Sequence, residues 1–410
     1  MTRELLTGNG AAALGAKLAG IEYLPAFPIT PQTEVIETLS KWIEEGSMDC
    51  KMVTMESEHS MVTAAGAAAA TGVRTFTATS SQGLLYAAEM LHTVTGWRVP
   101  FVLVNVSRGL ASPITLEPDH NDIMALRDAG FVQIHCSTCQ EVLDSMILAY
   151  RLSEDAGVRL PVIVNYDGFY LSFTREPVEV PNQEYVDRFL PPFPTNQPRF
   201  SADHPMSQGV AVLGGSAYSY FKYQTHLALL NAGLIYKQIT NEFQILFSRS
   251  YDPVELYKLK DAEYAFLMIG SFSCKGKEAV DQLRAAGWKI GLVRPRLTRP
   301  FPMDELRKSL APLKGVAVID QNLSLGMGGV LHQETAAALY PLITRPILAA
   351  FVGGLGGRDI SAEEFYSMAE TIREAVKTGE TPPQRLLYTE KENTDMQQLQ
   401  RIAGTHTTSP

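Results

Sequence analysis

From residue 10 to about 167, apolar runs and amphipathic stretches alternate along the chain. Residues 11–18 read as a helix and 23–27 as a short strand. Pro31 opens the next helix, 33–43, where a first-turn proline loses no helical hydrogen bond. Residues 51–55 form a short strand, followed by a helix over 61–72 built almost wholly of small residues. A β-branched strand, 74–79, runs through the polar turn 80–83 into a helix over 84–95. Residues 100–106 are continuously apolar, the pattern of a strand in a parallel sheet covered on both faces. Residues 130–135 read as a strand, 141–154 as a helix and 161–165 as a second buried strand. This alternation predicts a doubly wound parallel sheet. The pattern breaks over 177–209, where Pro-, Asn- and Phe-containing segments predict an extended excursion. A long helix over 218–248 then bridges to a second α/β pattern, with strands at 264–269, 288–293, 315–320 and 346–352 and helices at 275–286 and 328–339. The expected fold class is α/β with two doubly wound parallel-sheet domains, 1–245 and 246–385. A polar tail, 386–410, ends in a mobile or partner-bound segment.

Composition narrows the function. With 45% hydrophobic and 19% charged residues the chain can bury a sizeable core, and a net charge of −9 argues against a nucleic-acid surface. No apolar run reaches the roughly 18 residues of a membrane span. The first six residues lack a signal-peptide core, so a cytoplasmic location is expected. Four cysteines, Cys50, Cys136, Cys139 and Cys274, are too few for a disulfide scaffold. Cys136-Ser137-Thr138-Cys139 has a ligand-like spacing, but the second pair of a zinc or iron–sulfur site is missing. The segment reads instead as a strand turning into a helix capped by Ser137 or Thr138. No metal site is expected in this chain.

In a doubly wound sheet, ligands bind beyond the carboxyl ends of the strands. Three turns collect there: Pro28-Ile29-Thr30-Pro31, Glu56-Ser57-Glu58-His59 and Ser107-Arg108-Gly109. The second sets a carboxylate at the mouth of the small-residue helix, where close packing buries it. A buried carboxylate needs a partner, and N1′ of an aminopyrimidine would make it catalytic. Arg108 suits a substrate carboxylate through its planar fork; its structural alternative is a cap or a surface ion pair. Asp119-His120 has neither the nucleophile elbow nor the HExxH context that a catalytic pair would want. Asp119 reads as a helix cap and His120 as a residue ordering its loop. The glycine clusters at 326–329 and 353–357 lack the P-loop lysine and the GxGxxG spacing, and read as packing turns or subunit contacts.

Several segments, in order and spacing, resemble the α subunit of 2-oxoacid:ferredoxin oxidoreductases of the pyruvate type. They are Phe27-Pro28-Ile29-Thr30-Pro31-Gln32-Thr33, Glu56-Ser57-Glu58-His59, Thr75 to Gly83, Asp119-His120-Asn121-Asp122, Asn165 to Phe169, Arg299-Pro300-Phe301-Pro302 and Asn322 to Gly326. The resemblance implies a thiamine-diphosphate pyrimidine-binding domain followed by a transketolase-C-terminal-like domain. It implies that Glu58, rather than Glu56, bonds N1′ of the pyrimidine and thereby activates the cofactor for loss of its C2 proton. Arg108 would bind the 2-oxoacid carboxylate, Thr30 would touch substrate and cofactor, and Pro28 would contact the pyrimidine through its backbone. The family's diphosphate and Mg²⁺ site, with its Gly-Asp-Gly motif, belongs to a β subunit, and this chain has no such motif. Coenzyme A would take the acyl group. Electrons would leave through iron–sulfur clusters on partner chains, γ and a ferredoxin-like δ, ending on ferredoxin or, with a flavin/NAD subunit, on NAD. Glu117-Pro118 departs from the pattern of the pyruvate enzymes and leaves a larger substrate such as phenylglyoxylate open. A subunit of a lipoamide-linked dehydrogenase or transketolase-like enzyme, and a non-catalytic scaffold, are the alternative readings.

Overall fold

The computed structural model describes residues 2–194 and 197–402. The amino-terminal half comprises β1 (Thr2–Thr7), α1 (Gly8–Leu18), β2 (Tyr23–Ala26), α2 (Thr33–Glu44), β3 (Lys51–Thr54), α3 (Glu58–Ala70), β4 (Phe76–Thr79), α4 (Ser81–Tyr86), α5 (Ala88–Trp97), β5 (Val102–Ser107), α6 (Asn121–Ala125), β6 (Val132–His135), α7 (Cys139–Ser153) and β7 (Val162–Asp167). It continues through β8 (Arg175–Val180), α8 (Gln183–Phe189) and the long α9 (Gly215–Phe247). The carboxyl-terminal half comprises β9 (Val254–Tyr257), β10 (Tyr264–Leu267), α10 (Phe272–Ala285), β11 (Ile290–Pro295), β12 (Leu297–Arg299), α11 (Met303–Leu310), β13 (Gly315–Asp320), α12 (Val330–Leu339), β14 (Ile347–Val352), α13 (Ala362–Thr378), β15 (Arg385–Leu386) and α14 (Glu390–Ile402).

The first sheet has the order β12-β6-β7-β5-β4, parallel except for β12, and a parallel bridge from Tyr23 to Thr75 sets the β2-β3 pair beside β4. Every residue of β5 and of β7 is buried, as their apolar runs require. The second sheet runs β15-β14-β13-β10-β11-β9, with only β9 antiparallel. Helix α3 packs tightly against α5: a Cβ on Gly66 would stand 2.4 Å from Val94 Cγ1. Only small residues permit that approach.

The structure differs from the sequence reading in several places. The expected excursion after residue 177 is in part regular. β8 pairs antiparallel with β1, and α8 packs Phe189 edge-on against Phe243 and Phe247 of α9. The single helix expected over 84–95 is two, divided at Ala87, whose ψ of 0° ends the first. Pro31 precedes the N-cap Gln32 of α2 instead of occupying its first turn. Strand β12, from the second half of the chain, completes the edge of the first sheet. Part of the polar tail is helical, α14, and Arg358 grips its Glu392 through Nε (2.9 Å) and Nη2 (2.8 Å). The end of the tail, 403–410, lies outside the described residues. Among the described residues no helix is long and apolar enough to cross a membrane.

Candidate active site

Five turns meet at the carboxyl ends of neighbouring parallel strands. They follow β2 (Phe27–Pro31), β3 (Met55–Glu58), β4 (Ser80–Gly83), β5 (Arg108–Gly109) and β7 (Gly168). The Pro28–Pro31 turn is fixed by buried amides. Asn9 Nδ2 donates to Pro31 O (2.9 Å), Tyr166 Oη holds Asn9 Oδ1 (2.8 Å), and Gln32 Nε2 donates to Phe27 O (3.0 Å). From below, Gly168 presses on it, where a Cβ would stand 2.9 Å from Pro31 Cγ. Pro28 and Thr30 themselves face outward and are exposed.

Ser57 caps α3 by accepting from Ser60 N, so Glu58 falls in the first helical turn, where the helix dipole favours negative charge. Glu58 is 5% exposed, and its carboxylate has no hydrogen-bond partner among the described residues. Glu56, by contrast, is exposed and accepts from Ser60 Oγ. The carboxylate of Glu58 lies over Gly83, where a Cβ would come within 2.4 Å of Glu58 Oε1 and 2.6 Å of Thr79 Oγ1. Thr79 Oγ1 and Ser80 Oγ are buried and also unpartnered.

Arg108, 6% exposed, reaches across this group. Nη1 donates to Thr30 O (2.6 Å), Nη2 to Gln82 Oε1, and Nε is buried without a partner. Its expected free fork is thus already held at both ends by carbonyl oxygens from two turns. Burial draws its guanidinium below the ordinary value, while Asp122 pulls the other way. Asp122 is the hub beneath. It accepts from Ser81 N (3.0 Å), Asn105 Nδ2 (3.0 Å), Ser107 Oγ (2.8 Å), Ile123 N (2.7 Å) and Arg108 N (3.3 Å), and burial raises its carboxyl. Asn165 Oδ1 joins Asn105 and Ser107 in this network, and Asn165 Nδ2 meets His135 Nδ1 at 3.3 Å.

His120 stands away from the mouth. It bonds Asp167 Oδ1 at 2.7 Å in full burial, and Asp167 Oδ2 accepts from Ser271 N (2.7 Å) of the second half. Burial opposes charge on His120, but Asp167 outweighs it and raises the imidazole. His120 therefore orders the joint between the halves. Asp119 Oδ1 accepts from Asn121 N (2.9 Å) at the start of α6, although the N-cap position itself is His120. Thr138 caps α7, and burial pushes the Cys136 thiol up to about 12, far from a thiolate ligand. The glycine turns are packing devices: Gly329 abuts Asp320, whose carboxylate accepts from Leu331 N and His332 N, and Gly357 N donates to Pro118 O.

Sequence reasoning placed Glu58, Arg108, Thr30 and Pro28 on separate turns, and the structure puts those turns side by side. It missed Gln82, Thr79 and Asp122. The Ser80–Gly83 turn was visible in the sequence, but the positive φ of Ser81 (51°), which aims Gln82 inward, was not.

The unpaired Glu58 carboxylate and the buried hydroxyls, amide and guanidinium around it form a cradle that asks for a polar ligand, and an aminopyrimidine fits that donor set. Residues 14–240 match the thiamine-diphosphate-binding family of pyruvate flavodoxin/ferredoxin oxidoreductases, and 262–365 match core domain II of pyruvate:ferredoxin oxidoreductase. The chain is 38% identical to the ketoisovalerate oxidoreductase subunit VorA of Pyrococcus horikoshii, over 92% of this chain and 95% of that one. It is 38% identical to the pyruvate synthase subunit PorA of Methanothermobacter thermautotrophicus, over 95% and 98%. In fold it is similar to the 2-oxoglutarate:ferredoxin oxidoreductase of Magnetococcus marinus (TM-score 0.69, 20% identity, covering 91% of this chain and 65% of that one). A split-gene transketolase is a more distant likeness (TM-score 0.56, 12% identity). The chain belongs to the pyruvate flavodoxin/ferredoxin oxidoreductase family and is of the α type among 2-oxoacid:ferredoxin oxidoreductase subunits.

Proposed function

We propose that this chain supplies the pyrimidine-side half of a thiamine-diphosphate active site that oxidatively decarboxylates a 2-oxoacid to an acyl-CoA. The observation that carries the proposal is the buried, unpartnered Glu58 carboxylate over Gly83, with Arg108 in the same mouth. When bound, thiamine diphosphate supplies the carbon nucleophile and electron sink for decarboxylation. Glu58 is suited to hold a hydrogen on the pyrimidine nitrogen. Arg108, carried by Thr30 O and Gln82 Oε1, offers its remaining donors to the substrate carboxylate. Pro28 and Thr30 contribute the exposed rim.

The partner subunits belong to this proposal. A β chain holds the diphosphate and Mg²⁺, since no Gly-Asp-Gly is present here. Iron–sulfur chains carry the electrons, since Cys50, Cys136 and Cys139 are buried apart from any ligand cluster among the described residues. The assembly is a cytoplasmic hetero-oligomer. A lipoamide-linked dehydrogenase and a scaffold are not favoured, because the relatives are ferredoxin-type subunits and the acid, arginine and threonine are all in place. Pyruvate, a branched-chain 2-oxoacid and an aryl 2-oxoacid such as phenylglyoxylate are the candidate substrates. The loop 110–118 beside Arg108, with Ile114 and Leu116 exposed, is placed to sort them.

Glu58→Gln in the assembled complex tests the reading. The fold and cofactor content should persist while deuterium exchange at thiamine C2 and turnover fall by two orders of magnitude or more, roughly the weight of a general acid–base group. Exchange at the wild-type rate would remove Glu58 from the mechanism.

A further inference from the structure

In the reading above only the amide oxygen of Gln82 has a role, as a support for Arg108. Arg108 has only donors, so the Gln82 amide must turn its oxygen toward Nη2 and its nitrogen away. Ser81 Oγ lies 2.6 Å from Gln82 Oε1 and 2.8 Å from Gly109 O, and its single hydrogen serves one of them at a time, so the choice of orientation rests on Arg108. Ser81 is itself fixed, because its N–H is held by Asp122 at 3.0 Å and its φ is 51°. The amide orientation is therefore set by Arg108, with Ser81 packed against it. Its consequence is that Gln82 Nε2 is buried with no acceptor, as is Arg108 Nε. Two unpaired donors on adjacent, immobilised side chains call for a ligand that carries acceptors, and a 2-oxoacid brings oxygens for both.

We propose that Gln82 is a second anchor for the 2-oxoacid: its amide oxygen positions the Arg108 guanidinium, and its amide N–H donates to an oxygen of the substrate. The inference rests on the site being a 2-oxoacid site. It adds that affinity for the oxoacid requires the polarity of Gln82, and not merely the charge of Arg108. The effect is read on the oxoacid, with coenzyme A as the control ligand.

The test uses the assembled complex with Gln82→Glu, Gln82→Met and Gln82→Asn. The Kd values of pyruvate, ketoisovalerate and phenylglyoxylate are read by calorimetry with coenzyme A and electron acceptor left out, alongside KM for coenzyme A, thiamine diphosphate content and Tm. Gln82→Glu keeps an oxygen on Arg108 but removes the N–H and adds a negative charge. It should weaken oxoacid binding at least about tenfold, the scale of one hydrogen bond to a charged group, with KM for coenzyme A and Tm unchanged. Gln82→Met should weaken oxoacid binding at least as much. Gln82→Asn, which retracts the amide by one methylene, should fall between wild type and Gln82→Glu, and it carries the test if Gln82→Glu fails to assemble. Wild-type oxoacid affinity in Gln82→Glu, or in Gln82→Met, overturns the proposal while leaving the function reading intact. A wild-type complex that holds thiamine diphosphate but binds no 2-oxoacid overturns both.

Discussion

Arg108 is held in place by two carbonyl oxygens on different turns, Thr30 O and Gln82 Oε1. That arrangement needs a planar group with several fixed donors, which lysine does not have. Arg108→Lys should raise KM for the 2-oxoacid about 10- to 100-fold, the weight of a charge-assisted bond, while the affinity for thiamine diphosphate changes little. Steady-state kinetics with a parallel cofactor titration would show the split. Loss of cofactor with unchanged oxoacid KM would give Arg108 a different job. At this scale the sequence was informative about which residues, and silent about how they are held. Glu58 and Arg108 were legible because each follows a strand at the ligand-binding edge. The prior occupation of the guanidinium was not legible, because it depends on one backbone oxygen 78 residues away in sequence and one side-chain oxygen 26 residues away.

At the scale of elements, the Ser80–Gly83 turn and the mouth of α3 are shaped against each other. Gly83 has helical backbone geometry, so alanine there gains up to about 1 kcal/mol of helix propensity. The added methyl, however, would stand 2.4 Å from Glu58 Oε1 and 2.6 Å from Thr79 Oγ1. The carboxylate is the end of a flexible side chain and gives way first. Gly83→Ala should therefore leave stability within about 1 kcal/mol of wild type yet lower kcat at least about tenfold through a displaced Glu58. Tm and kcat measured on one preparation decide it; a fall in both together would point to a packing defect instead. The apolar runs made β5, β7 and β13 legible, since a buried parallel strand needs little else. The division of α4 from α5 at Ala87 escaped notice because both helices continue one amphipathic pattern. Helix α8 and strand β8 were hidden by the prolines around them, and β12 by its length of three residues.

At the scale of the whole molecule, the two sheets are joined by a buried ion network that no local pattern announces. Glu141, in the first turn of α7, accepts from Arg294 Nη1 (3.1 Å) and Nη2 (2.5 Å) and from Arg296 Nη2 (3.1 Å), while Arg294 Nε reaches Glu255 Oε2 (2.6 Å). Just beyond, His135 N donates to Arg296 O (2.8 Å), and β12 extends the first sheet alongside β6. Arg294 and Arg296 are both buried, so removing Glu141 leaves two buried cations sharing the single carboxylate of Glu255. Glu141→Gln should cost about 3–5 kcal/mol. Neutralising Glu45, whose exposed pair with Lys41 spans 3.8 Å, should cost under about 1 kcal/mol. Burial alone would raise the Glu141 carboxyl, but the two arginines hold it well below its ordinary value of 4.5. A depressed carboxyl stabilises the fold fully above its unfolded value, and this contribution drains away as pH falls below about 4.5. Urea midpoints across pH should thus show the wild type losing stability on the acid limb. Glu141→Gln should start lower at neutral pH and converge on the wild type as acid protonates Glu141 in the latter. Parallel curves for the two proteins would mean that the joint is held by β12 and the apolar core, with the ion network contributing nothing beyond them.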